Sequence, residues 1–169
     1  ETRLPLTLAE AARKLPGLAR WPEVVVVDDG SRDGTARVAG QFASSVPVRV
    51  VRLPENRGKG AAVHAGIEAA TREFVAFTDA DCPYDLDALR PMLAAIEERR
   101  ADVAIGAREL VESGVSRGYG ALRRASGKAL SLLTWAVLGL PIRDSQCGLK
   151  CFRSDTARAL FSVRTIDRF

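Results

Sequence analysis

The sequence predicts an α/β fold in which a mostly parallel sheet is flanked by helices. Three observations predict it. Short β-branched runs alternate with amphipathic stretches along the chain. The run "VVVV" at 24–27 is apolar without alternation, the pattern of a strand buried on both faces. Turn-rich segments separate the two kinds of stretch, so strand–helix–strand units repeat. At 169 residues the chain has the size of one domain, able to bury roughly 70% of the surface its unfolded form exposes.

The elements follow in order. "EVVVVDD" (23–29) is a strand bounded by Pro22 and by the turn-rich "DDGSRDGT". A helix follows over 35–42, then a second strand, "VPVRVVRL" (46–53), and a loop, "NRGKG". "AAVHAGIEAATR" (61–72) has apolar residues at helical spacing, and "FVAFT" (74–78) is the third strand. "LDALRPMLAAIEERR" (86–100) is a helix whose first turns absorb Pro91 or kink at it. "ADVAIGA" (101–107) is a fourth strand. The pattern then changes to a polar, glycine-bearing loop (108–120), and next to a long helix over 121–138, basic at its start and apolar later. After the loop 141–148 come a short strand, "LKCFR", and a helix, "SDTARALF", with Ser154 expected as its N-cap.

Composition narrows the function. A hydrophobic share of 47% and a charged share of 27% are ordinary for a soluble globular protein and exclude a disordered chain. The net charge of +4 suits a polyanionic ligand or an anionic membrane surface and is too small to argue for nucleic acid. Cys82, Cys147 and Cys151 form no framework spacing and read as reduced thiols in a cytosolic setting. The only histidine, His64, is far in sequence from Cys147 and Cys151, so no zinc site is expected. No signal peptide is visible. The longest apolar stretch, 129–142, falls short of the 18 or more residues of a spanning helix. The expectation is a chain that does not cross a membrane but can touch one.

In parallel sheets, ligands bind beyond the carboxyl ends of the strands. Asp28 and Asp29 end the first strand, and Asp79 and Asp81 end the third, so both pairs are expected on one edge. Asp79-Ala80-Asp81 sets two like charges one residue apart, an arrangement that a divalent cation relieves. Carboxylates suit Mg²⁺ or Mn²⁺, which use one or two of them together with substrate phosphates. The same pattern alone also reads as a solvated acidic turn or a cap. In "VVVVDDGSRDGT", Asp28 and Asp29 can accept hydrogen bonds from a nucleoside's ring N–H or ribose hydroxyls. Gly30 and Gly34 allow a tight turn and close approach, and Ser31 and Asp33 favour turn and cap geometry. Each of these residues alone also fits a plain strand-to-helix turn. "RGKG" (57–60) is not a Walker A loop, and Val63 breaks the dinucleotide fingerprint. Lys59 either approaches a phosphate from a helix N-terminus or is a solvated lysine. His64 is expected on a helix, at the surface or half-buried, and not as a catalyst.

Taken together, "VVVVDDGSRDGT", "ENRGKGAAVHAG", "VAFTDADCPYD", "ADVAIGAR" and "DSQCGLKCF" resemble the family 2 glycosyltransferases, in the correct order and over nearly the whole chain. The "DSQCGLK" element is similar to their polyprenyl-phosphate branch, particularly the dolichyl-phosphate β-glucosyltransferases. The resemblance implies a GT-A fold, a Rossmann-like nucleotide-binding domain over 1–169. It implies a donor nucleotide site at Asp28 and Asp29, to which the adjoining Gly30 and Ser31, and Lys59, are added from the reading above. It also implies diphosphate at Asp79 and Ala80, and Mg²⁺ or Mn²⁺ at Asp79 and Asp81. Arg108, Arg123 and Lys150 match positions implied to hold an acceptor phosphate. Glu1 would match the last acid of a P-x-Y-N-E strand end, which adds it to the donor site. The expectation is then a domain that lacks its first strand and a C-terminal segment. Pro83 stands where the related mannose synthases carry a glutamine, which bears on how many protein ligands the ion has.

These parts suit in-line displacement at the anomeric carbon of a nucleotide sugar, with inversion. A sugar hydroxyl acceptor needs a carboxylate base, and Asp144 is the candidate; it reads equally as a loop carboxylate organising "DSQCG". A lipid monophosphate is already anionic near neutral pH, since its second pKa is roughly 6. The expected catalytic residues are therefore Asp144 and Asp81. The expected partners are UDP-glucose, a polyprenyl phosphate and the cytoplasmic face of a membrane. The basic positions before 129–140 suit an anionic headgroup beside a short apolar helix, although Leu130, Leu133, Trp135 and Val137 also read as core. The alternatives are a saccharide hydroxyl acceptor, a GDP-mannose-dependent polyprenyl-phosphate mannose synthase, or a nucleotide-sugar binding module without catalysis.

Overall fold

The valine run becomes β1 (Val24–Asp28), and the next β-branched run becomes β2 (Val48–Arg52). The computed structural model describes residues 4–42, 46–81, 85–107, 134–137, 139, 142 and 144–163. In it the two strands pair in parallel, with Val24 opposite Val48 and Asp28 opposite Arg52. Side chains on a strand alternate between its faces. Val24, Val26 and Val50 pack on a cluster of Leu4, Leu8 and Ala39, supplied by α1 (Leu4–Leu18) and α2 (Thr35–Gly40). Val27 points the other way, toward α3 (Lys59–Ala69), where a Cβ on Gly66 would stand 3.2 Å from its Cγ2. Helices thus cover both faces of the pair, which is why β1 is apolar without alternation.

The sequence reading assigned no helix to α1. Leu4, Leu8 and Ala11 are its buried residues, at the i, i+4, i+7 spacing of a buried stripe. Pro5 near the start and Pro16 in the last turns hid that stripe, although proline is tolerated in a first turn. Along the same helix, Glu10 pairs with Arg13 at 2.8 Å and Lys14 at 3.2 Å.

The chain divides into two compact units, Glu1–Val75 with Phe152–Phe169, and Ala76–Cys151. The division passes within β3 (Phe74–Phe77) and β5 (Lys150–Arg153). Among the described residues the strands form two sheets, β1-β2 and, in the order β3-β5-β4, a three-stranded one. In the second unit, a 3₁₀ turn (Leu86–Ala88) leads into α4 (Leu89–Glu97). Asp85 opens it, its side chain accepting from the Asp87 N–H at 2.9 Å. Leu89, Met92 and Ile96 are buried on one face, and α4 packs on β4 (Val103–Ile105). Pro91 falls in the first turn of α4, where it is absorbed. Residues 134–137 are helical; the rest of the helix expected over 121–138, and the loop expected over 108–120, lie outside the described residues.

Helix α5 (Ser154–Ser162) corrects one expectation. Arg153, not Ser154, takes the N-cap position, with extended backbone and no side-chain cap. Glu73 sets this start. Its carbonyl accepts from the Ser154 N–H at 2.8 Å, and its carboxylate from the Arg153 guanidinium at 2.8 Å. Ser154 Oγ is left buried with no hydrogen-bond partner. Phe152 and Phe161 then meet edge to face, 6.2 Å apart, fastening the helix to its own strand.

The amino end of β1 is pinned by Glu23. Its Oε1 accepts from the backbone and hydroxyl of Thr71, at 2.6 and 2.9 Å, and Arg49 stands 3.6 Å from Oε2. Burial pushes the Glu23 carboxyl up. The Thr71 hydrogen bonds and the charges of Arg49 and Arg72 outweigh that, so the net shift is downward from 4.5. A lowered folded-state pKa stabilises above the unfolded value and is lost as pH falls through the folded one. Glu23→Gln is therefore expected to cost about 1 kcal/mol in urea unfolding at pH 7. That difference should shrink as the pH drops below the 4.5 of the unfolded carboxyl.

Candidate functional site

The chain after β1 turns sharply and is clasped to the loop before α3. Asp28 ends β1 with its side chain only 1% exposed. Its Oδ1 accepts from the Ser31 N–H at 2.8 Å. Oδ2 is buried and accepts no hydrogen bond, while Arg52 Nε stands 3.4 Å from it. The next carboxylate diverges. Asp29 accepts from the backbone N–H groups of Arg57, on Oδ1, and Gly58, on Oδ2, both at 2.8 Å. Gly58 is the N-cap of α3, with φ +94°, so Asp29 lies at the positive end of that helix dipole. Between the two acids' partners, Gly30 adopts φ +72°, and a Cβ there would stand 2.6 Å from both Asn56 N and Glu55 C. Only glycine fits both the conformation and the space.

Farther along the turn, Asp33 Oδ1 accepts from the Thr35 hydroxyl at 2.6 Å and the Thr35 N–H at 3.0 Å. These two bonds, the hydroxyl first, hold its carboxyl below the usual value. This is the turn and cap role expected of it, and it leads into α2. Lys59 is exposed at the first position of α3, two residues earlier than the predicted helix start. His64 is half-buried on the same helix.

In the second unit, Asp79 is half-buried just past β3, while Ala80 and Asp81 are exposed in a turn. Among the described residues no group of three or more histidines, cysteines, aspartates or glutamates could hold a metal ion. Asp79 and Asp81 thus offer two hard carboxylate donors, one half-buried and one exposed. That fits Mg²⁺ or Mn²⁺ completed by substrate phosphates and does not fit a closed structural site. Asp144 Oδ1 accepts from the Gln146 N–H at 3.2 Å, so this carboxylate helps shape the 144–148 turn. Lys150, on β5, donates to the Cys147 carbonyl at 2.6 Å and lies 5.7 Å from the centre of the Phe77 ring. Its charge is thereby held at the end of β3, two residues before Asp79. Cys147 and Cys151 are buried, and neither forms a disulfide.

The structure brings Asp28, Asp29, Gly30, Ser31 and the start of α3 into one clasp in the first unit. It sets Lys150 beside the strand end that carries Asp79 in the second. Glu1, Arg108 and Arg123 lie outside the described residues. The sequence reading missed Arg52 and Gly58. Aligning the strand ends "VVVVD" and "VRVVR" in parallel would have set Arg52 opposite Asp28.

Comparison with known proteins follows the same lines. The family model described as Glycosyl transferase family 2 matches residues 4–166, across both units. The chain is 36% identical over 182 residues to a dolichyl-phosphate β-glucosyltransferase of Drosophila melanogaster, covering 100% of this chain and 56% of that protein. The human protein of that name is 34% identical over 184 residues, with the same coverage of 100% and 56%. A dodecaprenyl-phosphate galacturonate synthase of Rhizobium johnstonii is 29% identical, over 98% of this chain and 48% of its own length. The chain therefore spans about half the length of the curated relatives it matches. Among solved structures, S. aureus TarS with UDP-GlcNAc superposes with a TM-score of 0.60 at 23% identity, over 95% of this chain and 44% of that one. A Pyrobaculum calidifontis mannosyltransferase with GDP-Man and Mn²⁺ gives 0.57 at 23% identity, over 95% and 46%. These likenesses speak to the fold, and the fold is the GT-A fold expected from the sequence.

The clasp generates one prediction. Gly30→Ala forces a Cβ into backbone at 2.6 Å and a side chain into φ +72°. A loss of about 2 kcal/mol or more in urea unfolding is expected, whereas Gly40→Ala, with open space around its Cβ, should change stability little.

Proposed function

The chain belongs to glycosyl transferase family 2, and we propose that within it this protein moves glucose from UDP-glucose to a polyprenyl phosphate such as dolichyl phosphate, with inversion at the anomeric carbon. The observation that carries the proposal is the 36% identity, over the full chain, to a protein named as a dolichyl-phosphate β-glucosyltransferase. The clasped turn at 28–31 supports a donor nucleotide site there. Asp28 and Asp29 organise the turn through backbone amides, and Gly30 and Ser31 shape it. Lys59, exposed at the start of α3, suits a phosphate.

Asp79 and Asp81 would hold Mg²⁺ or Mn²⁺, with Ala80 between them facing the diphosphate. Bound there, the ion would offset charge on the leaving group as a Lewis acid. The chain's own residues supply the rest. A lipid monophosphate is already anionic near neutral pH, so its reaction needs placement more than proton removal. Lys150 supplies a fixed cation, held by the Cys147 carbonyl and the Phe77 ring, and Arg108 and Arg123 are proposed to join it. Asp144 then serves to shape its loop, as its bond to the Gln146 amide supports. Trp135 and Val137 are 55% and 70% exposed, which supports contact with a membrane surface by side chains that also read as core; the cytoplasmic face is the one proposed. Among the described residues no helix is long and apolar enough to cross a membrane.

The full chain, given radiolabelled UDP-glucose and dolichyl phosphate, is expected to carry label into the lipid fraction. Asp79→Asn and Asp81→Asn should each lower kcat/KM by about a hundredfold or more. Label entering lipid from GDP-mannose instead would establish the mannose-synthase alternative, and label entering from neither donor sinks the proposal. Asp144→Asn separates the acceptors. A phosphate acceptor predicts a fall below about tenfold, and a sugar hydroxyl the loss of about 10²–10⁴ that follows removal of a general base.

A further inference from the structure

We infer that Arg52 is a positioning residue for the donor site, holding the Asp28 turn at two points. The inference rests on the nucleotide site proposed above and adds to it a residue that touches no substrate. Three observations meet at this side chain. The parallel register sets Arg52 opposite Asp28 at the carboxyl ends of β2 and β1. Asp28 is buried to a side-chain exposure of 1%, and its Oδ2 accepts no hydrogen bond. Arg52 places Nε 3.4 Å from that oxygen and donates from its terminal nitrogen to the Ser31 carbonyl at 3.0 Å.

A buried carboxylate with one amide donor needs a further positive partner, because charge taken out of water without compensation is costly. Arg52 provides it from the solvent side, being itself 62% exposed. The planar fork of the guanidinium offers donors in fixed directions, so one nitrogen faces the carboxylate while another holds a carbonyl of the same turn. The turn is thereby gripped by a side chain in addition to the contacts of its clasp. Asp29 ties it to Arg57 and Gly58, Gly30 abuts Asn56, and Leu53 N–H, next to Arg52, donates to the Asp28 carbonyl at 2.9 Å. Loss of the fork frees Ser31 and lets the turn shift against the loop that carries Asn56. A lysine restores the charge beside Asp28 but, as a point donor, does not reproduce both contacts.

The test compares the full chain as wild type, Arg52→Gln and Arg52→Lys by two measurements. Amide hydrogen exchange read by NMR follows the Ser31 N–H, with the Thr71 N–H at the far end of β1 as an internal control. Calorimetry follows UDP in the presence of Mn²⁺. Arg52→Gln is expected to speed Ser31 exchange by about tenfold or more and to weaken UDP by a similar factor. Thr71 should be unchanged, and Arg52→Lys should recover part of both effects. Unchanged Ser31 exchange overturns the inference. So does a faster Ser31 with unaltered UDP affinity, or an acceleration that includes Thr71, which marks general destabilisation. Wild-type protein that binds neither UDP nor GDP defeats the proposed function instead, and Ser31 exchange then decides by itself whether Arg52 holds the turn.

Discussion

Carboxylates held by backbone amides are the constraint on which the first unit depends. Asp28 and Asp29 are adjacent like charges at the end of an apolar strand, and the extended chain sends them to opposite sides. One closes the turn on itself through the Ser31 amide. The other reaches the amides of Arg57 and Gly58 at the start of α3. The repulsion between them is thus spread over separate donors, and hydrogen bonds to charged acceptors are roughly twice as strong as neutral ones. Every other feature of the clasp follows from that division, including the glycine that lets the two loops touch.

The same device recurs at the far end of β1, where Glu23 accepts from the amide and hydroxyl of Thr71. Acids thereby pin both ends of β1 to segments that are distant in sequence. The recurrence also bounds what an acid at a strand end means. Glu23 performs its role with no ligand in prospect, and Asp28 is buried nearly as a core residue. A carboxylate gains functional meaning from what remains open to solvent, and by that measure Asp81, exposed in a turn, and the half-buried Asp79 differ from the buried Asp28.

Much of the fold was legible because its signals are local. The unbroken valines of β1 announced a strand covered on both faces, and Leu89, Met92 and Ile96 announced α4 by spacing alone. The glycine and acids of "DDGSRDGT" announced a turn. What was missed has equally particular reasons. Prolines at 5 and 16 obscured the stripe of Leu4, Leu8 and Ala11 in α1. Ser154 had the chemistry of an N-cap but not the position, since Glu73, far away in sequence, sets where α5 starts. The partners of Asp29 lie 28 and 29 residues along the chain, beyond the reach of any short pattern.

The sequence by itself determined the alternation of strands and helices, the family, and which side chains could carry chemistry, because hydrophobic period and turn preference act over a few residues. Only the tertiary structure decided what those side chains hold. Strand register chose Arg52 as the neighbour of Asp28, and packing buried that carboxylate. The approach of two loops committed Asp29 to backbone amides and made Gly30 irreplaceable. The physical reason is that a carboxylate binds whichever donors its surroundings leave within about 3 Å, and those surroundings are assembled from distant parts of the chain.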